Sequence, residues 1–493
     1  MNTQIRKTQR AIALLLCLVA AGAQAQVSVA TYLDSASSDA NRYRALLAAH
    51  RHARETHTTV NYAGVDTLYL EIPADAEPIP LADTTDFGGL TIYVRNNAKH
   101  ISLFAMSAQF ATIELTKIMV DSGQFGTVPQ LATGLKLLLL TDAHPWTYRN
   151  MGSKGGYTCY RKDILLLSDG QAANSPISPY NTDSTQLQCS WTAVTATPKL
   201  VANLTMHRLP GSQYRTNCVA LNGQNNVTLR NITVTTPKSK LIADGIFSIS
   251  NCTNITVEDV TVDGTYSGYG RYRHYGYAFS MNNDWNTLFR NVVADGNWGV
   301  FGTNNLSLTT LDSCDVNRFD IHCYGRDARM VRCTLRNKQT QFSSMFGTVV
   351  YDSCNFVDCI PLRIRSSYNA YTPFDVVMRH CTFETTLRYH SLINFMMLDT
   401  AENIRPELAE KCYPNVDIDD LTITVPAVVR KVNIFDPTGT MSELVRPYGH
   451  ISHVRANSVR LVTPSGKPSK ARLNMSSKPV VTKKYITIDI QTQ

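Results

Sequence analysis

From about residue 226 the chain repeats one six-residue phrase: apolar, polar, polar, small apolar, polar, apolar. It reads Leu229-Arg-Asn-Ile-Thr-Val234, Val257-Glu-Asp-Val-Thr-Val262 and Phe289-Arg-Asn-Val-Val-Ala294. It continues as Leu311-Asp-Ser-Cys-Asp-Val316, Met330-Val-Arg-Cys-Thr-Leu335, Tyr351-Asp-Ser-Cys-Asn-Phe356 and Met378-Arg-His-Cys-Thr-Phe383. Successive small apolar positions (232, 260, 292, 314, 333, 354, 381) are separated by 28, 32, 22, 19, 21 and 27 residues. A period near 20 with variable insertions describes a coil that carries loops on particular corners. Short β-branched runs alternate with Asn, Asp, Gly and Ser turns, and helical periodicity is nearly absent.

These features predict an all-β chain, a single-stranded right-handed parallel β-helix. One coil cannot bury its apolar face alone; stacking coils about 4.8 Å apart builds a continuous core. Cys314, Cys333, Cys354 and Cys381 would then share one inward column, either as stacked thiols or as disulfides. Residues 39–54 pattern as an amphipathic helix, an N-terminal cap over the first coil. Residues 66–106 alternate like first strands, and 107–220 read as early coils with long loops. The expected organisation is a leader at 1–25, cap and first coils at 26–106, the β-helix at 107–465, and a basic tail with a terminal strand at 466–493. The sequons at Asn226, Asn231, Asn251, Asn254 and Asn305 fall in repeat turns and read as stacked turn asparagines.

Arg6, Lys7 and Arg10, the apolar run 11–21 and Ala23-Gln24-Ala25 pattern as a secretory signal cleaved near Ala25, predicting a secreted or periplasmic protein. Its removal takes three positive charges and lowers the formal charge from +8 to +5. Eleven of the twelve cysteines would remain. With 43% hydrophobic and 17% charged residues the chain is neither disordered nor a charged scaffold. Past the leader, no apolar run reaches membrane-spanning length.

The leader, capping helix and coils together resemble the pectate-lyase-like superfamily of exported β-helix proteins that act on polysaccharides. Asp244-Gly245-Ile246 followed by Asn254-Ile-Thr-Val is similar to the coil around the first acidic motif of polygalacturonases. The remaining polygalacturonase motifs have no counterpart: the corresponding coils read Phe279-Ser-Met-Asn-Asn and Gly299-Val-Phe-Gly. The resemblance therefore implies the style of uronate and glycosaminoglycan lyases, the chondroitinase-like enzymes.

In Phe319-Asp320-Ile321-His322-Cys323-Tyr324-Gly325-Arg326, apolar or small residues hold the odd positions. Alternation on a strand would put Asp320, His322 and Tyr324 on one outward face, with Arg326 at its end if the strand persists. Leu362-Arg363-Ile364-Arg365 repeats the parity, and paired arginines suit carboxylates and sulfates. The insertion 264–277 alternates Arg271, Arg273 and His274 with tyrosines including Tyr275 and Tyr277, a composition suited to sugar rings and their acids. Asn283 and Trp298 are further substrate-binding candidates.

The expected chemistry is β-elimination from a uronic acid. His322 is the first candidate for base, Asp320 its orienting partner, and Tyr324, Tyr275 or Tyr277 the acid or an alternative base. Arg326, Arg363 and Arg365 would hold acid groups. The expected partner is an anionic polysaccharide such as chondroitin or dermatan sulfate or hyaluronan. Neither nucleic acid nor membrane insertion is expected, and a monomer is. No metal-ligand motif is present; Ca²⁺ held by carboxylates distant in sequence is a possible cofactor. Two other readings stand beside the lyase. One is a glycoside hydrolase drawing on Asp244, Asp284, Asp295 and Asp320; the other is a non-catalytic glycan binder.

Overall fold

The computed structural model describes residues 26–150, 156–177, 180, 187–236, 244–263, 277–294, 299–322, 324–337, 339–343, 345–364, 374–386, 391–396, 414–438, 452–476 and 486–492. The leader expected at 1–25 lies outside them.

One coil displays the plan. Strand Tyr277–Arg290 bends at Asn283 (φ 63°), the chain turns again at Asn291 (φ 51°), and Val293–Ala294 follows. Each coil so presents three faces: here 277–282 is the first, 284–290 the second and 293–294 the third. Every face pairs in parallel with its equivalent in the next coil, as Tyr277 with Gly299, Arg290 with Asp312 and Val293 with Asp315. Parallel pairing in all three directions around one axis makes a parallel β-helix.

The repeat phrase marks the corner before the third face. Leu204, Ile232 and Val260 are in register, and Cys381 pairs with Leu421, which pairs with Val459. The residue before each column position has a positive φ through ten coils, among them Asn203, Asn231, Asp259, Asn291, Ser313, Arg332, Ser353 and His380. Asparagine tolerates that left-handed bend best and adds a ladder bond between coils, as Asn231 Nδ2 to Asn203 Oδ1 at 2.7 Å. Asn226, Asn231, Asn251, Asn254 and Asn305 all have positive φ.

The four column cysteines are buried free thiols. Each donates to a carbonyl of the preceding coil: Cys314 to Phe289 at 3.5 Å, Cys333 to Leu311 at 3.4 Å and Cys354 to Met330 at 3.3 Å. Inside the first face, Phe247, Phe279 and Phe301 stack with centroids 5.0 and 5.3 Å apart, and Phe319 meets Phe301 edge-on.

Helix Asp39–Glu55 caps the open end. The Ser38 side chain accepts from Asn41 N at its start, and Tyr43, Leu46, Ala49, His50 and Ala53 face the core.

The early-coil reading of 107–220 is corrected. After Ser107 on the first face the chain leaves the helix, and Lys199 resumes it on the second. Between them Ala111–Ile113, Leu135–Asn150, Gly156–Ser168, Gln171–Ala172 and Leu187–Ala193 form a five-stranded antiparallel sheet with its own apolar cluster around Phe125, Leu138, Leu140 and Leu165. Its strands pair with one another, so the coil period is lost here for a physical reason.

Candidate functional site

The inward residues of the first face fix what points outward. Phe319 and Ile321 enter the core, so Asp320 between them faces out, with Arg318 and His322 at the flanking positions of the same parity. Asp320 Oδ2 lies 2.5 Å from an Arg318 guanidinium nitrogen and 3.0 Å from His322 Nε2. Although outward, the three are nearly inaccessible: 2%, 0% and 7% exposed for Arg318, Asp320 and His322. Burial alone would raise the Asp320 pKa; the Arg318 guanidinium and His322 reverse that and hold it below the usual carboxylate range. An ionised carboxylate only accepts hydrogen bonds, so His322 Nε2 carries a proton and donates it to Asp320 Oδ2.

Two glycines shape the site. A methyl group built on Gly302 would overlap the Tyr277 ring, and one on Gly299 would come within 2.8 Å of Arg318 Cδ. Their missing side chains let Tyr277 lie over Gly302 and meet His322 edge-on, ring centroids 6.2 Å apart.

Coil pairing extends the row into a column. Asp320 is in register with Gln341, Gln341 with Arg363, Arg363 with Asn394, and Asn394 with Asp436. Arg363 therefore stands two coils from Asp320, in the carboxylate's own column and on the outward face it shares with His322. Gln341, Asn394 and Arg318 are functional candidates that the sequence reading missed. Arg318 continues the even-numbered parity of Asp320 and His322, and Gln341 follows Asp320 by the same 21 residues that separate Cys333 from Cys354.

Three expected site residues are placed elsewhere. The strand ends at Ile321 and the chain turns onto the second face at Gly325, so Tyr324 leaves the row. Its hydroxyl donates to Lys162 O at 2.5 Å and accepts from Lys162 N, pinning the antiparallel sheet to the helix. Arg326 does the same with Ser175 Oγ and Pro176 O, both at 3.1 Å. Asn283 is a buried corner residue whose Nδ2 donates to Asn251 Oδ1 at 3.0 Å, part of the asparagine ladder. Asp284 is buried beside it, accepting from Cys252 N and Asn282 N, and burial raises its pKa well above the usual carboxylate range. Arg271, Arg273, His274, Tyr275, Asp295, Trp298 and Arg365 lie outside the described residues, as does the Asp244 side chain. Among the described residues no group of three His, Cys, Asp or Glu is arranged to hold a metal ion, and no helix is long and apolar enough to cross a membrane.

No family model matches the chain, and no curated protein matches it. Among solved structures it is similar to the tailspike protein gp49 from Pseudomonas phage LKA1, with a TM-score of 0.53 and 10% identity over 95% of this chain and 79% of that one. It is also similar to the Gp54 tailspike of Acinetobacter baumannii bacteriophage AP22, solved in complex with A. baumannii capsular saccharide. There the TM-score is 0.50 and the identity 9%, over 95% of this chain and 79% of that one. At such identities the likeness is one of fold.

Proposed function

We propose that this protein is an exported polysaccharide lyase that cleaves an anionic, uronate-containing glycan by β-elimination. The observation that carries the reading is the buried row Arg318–Asp320–His322 with Tyr277 against the imidazole and Arg363 in the same column. A saccharide on this fold has a precedent in the phage AP22 tailspike complex.

The C5 proton of a uronate becomes acidic enough to remove only when the neighbouring carboxylate is neutralised. Arg363 supplies positive charge in the Asp320 column without competing for it, since Asp320 is already paired with Arg318. His322 Nδ1 takes the proton as the C5–H bond breaks; the electron pair forms the C4–C5 double bond and expels the C4 oxygen. The Tyr277 phenol gives that oxygen its proton. Asp320 orients the imidazole and stabilises the imidazolium that forms.

A hydrolase needs two carboxyl groups about 5–9.5 Å apart across one groove. Along the Asp320 column the next three positions are Gln341, Arg363 and Asn394, none of them a carboxylate. Asp284 is committed to backbone N–H groups. The lyase reading therefore accounts for more of the described groups.

The test is ultraviolet absorbance of unsaturated product from hyaluronan, chondroitin sulfate, dermatan sulfate, heparin, alginate and polygalacturonate, with and without Ca²⁺. A rise on at least one polymer supports the proposal; reducing ends without that absorbance would move it to a hydrolase.

A further inference from the structure

The column next to His322 holds two complementary polar atoms that nothing in the mechanism uses. Asp320 Oδ2 takes both Arg318 and His322, while Asp320 Oδ1 finds no hydrogen-bond partner among the described residues. One coil on, Gln339 Nε2 donates to Gln341 Oε1 at 3.1 Å, and Gln341 Nε2 is then without a partner among the described residues. Asp320 is 0% exposed and Gln341 2%. Leaving a buried acceptor and a buried donor unpaired is unfavourable, so both are suited to a bound group.

The spacing of the coils that carry them points to the group. Adjacent coils lie about 4.8 Å apart. One oxygen atom making two hydrogen bonds of about 2.8 Å at a tetrahedral angle spans roughly 4.6 Å. That oxygen must accept from an amide N–H and donate to a carboxylate. A carboxylate, sulfate or O-acyl oxygen only accepts, and the first two would also meet the negative charge of Asp320.

We propose that Asp320 Oδ1 and Gln341 Nε2 form a subsite that selects a free hydroxyl on the sugar unit held beside His322. The inference deepens the lyase reading and rests on it for the identity of the substrate class. Ser343 Oγ, 2% exposed, likewise without a partner among the described residues and one coil on from His322, adds a second hydroxyl-compatible contact. The protein so reads an unmodified sugar hydroxyl next to the acidic group that Arg363 binds.

The experiment is calorimetric binding of hyaluronan and alginate, each native and O-acetylated, to the full chain. O-acetylation removes the hydroxyl donor and leaves the polymer's charge unchanged. Wild type is expected to bind at least one native polymer about tenfold or more tighter than its acetylated form. Gln341→Met, of similar volume but without the donor, should lose most of that ratio by weakening the native polymer alone. Gln339→Ala, which frees the Gln341 amide to rotate, should lose part of it, and carries the test if Gln341→Met does not fold. An unchanged ratio in the variants, no preference in wild type, or no binding of either polymer would overturn the subsite. Preference without unsaturated product would sink the lyase and leave the subsite standing; product with an unchanged ratio would do the reverse.

Discussion

His322 Nε2 lies 3.0 Å from Asp320 Oδ2, two positions along one outward row, and that contact decides which imidazole nitrogen can act as a base. With the Nε2 proton held by the carboxylate, Nδ1 is the nitrogen that acts as base whenever the imidazole is neutral. Asp320→Asn keeps the shape and removes the charge that sets this tautomer. Turnover is expected to fall at least about 10²-fold, in line with the share usually owed to general acid–base catalysis. Stability should fall by about 3–5 kcal/mol, because Arg318 is left buried without its counter-charge. Product absorbance and urea unfolding measure the two effects, and unchanged turnover in a folded variant would remove Asp320 from the mechanism.

The same carboxylate gives a pH signature. Its pKa is lower folded than unfolded, against an unfolded value of about 3.9. The pair's contribution is therefore present above about pH 4 and lost as pH falls through the lower folded value. The urea midpoint of wild type should drop more steeply below pH 4 than that of Asp320→Asn. Parallel acid limbs would mean that Asp320 is not ionised in the folded protein.

Gly302→Ala tests whether Tyr277 matters where it lies. The added methyl overlaps the ring and must push it away from His322. Overpacking of this kind costs about 1–3 kcal/mol, and activity should fall tenfold or more while the protein still folds. A fully active Gly302→Ala would mean that the Tyr277 position is incidental.

Tyr324→Phe separates a structural tyrosine from a catalytic one. Loss of its hydroxyl leaves the Lys162 N–H and C=O unpaired at the root of the antiparallel sheet, costing about 1–3 kcal/mol. The melting temperature should drop, with kcat within a few-fold of wild type. A loss of several hundred-fold without destabilisation would return Tyr324 to the chemistry.

The thiols should be inert. All nine described cysteines are buried, and burial pushes Cys218 up to about 12 and Cys381 up to about 11. An aromatic disulfide reagent should label these cysteines only after denaturation. Mass spectrometry showing Cys314 joined to Cys333, or Cys354 to Cys381, would replace the thiol column with disulfides.

Much of this was legible in the chain because β-helix coils repeat their chemistry. The column from Ile232 to Cys381 could be read from spacing alone, since each position meets the same corner geometry. Asp320 and His322 could be read from alternation, because Phe319 and Ile321 had to point inward. Tyr324 could not, because parity holds only while the strand lasts, and the chain turns between Ile321 and Gly325. The sheet from Ala111 to Ala193 joins antiparallel neighbours in the chain with strands remote from them, so it carries no coil period to read. The burial of His322 and Arg318 was hidden for a related reason: what covers an outward face is decided by chain remote from it.

The most direct test is production of unsaturated uronate by wild type, His322→Ala and Tyr277→Phe on the same polymer panel, with folding checked by circular dichroism. The account predicts an absorbance rise on at least one polymer for wild type. It predicts loss of at least about 10²-fold in each variant, with structure intact. A rise that neither substitution changes would contradict the site, and no rise on any polymer would contradict the lyase.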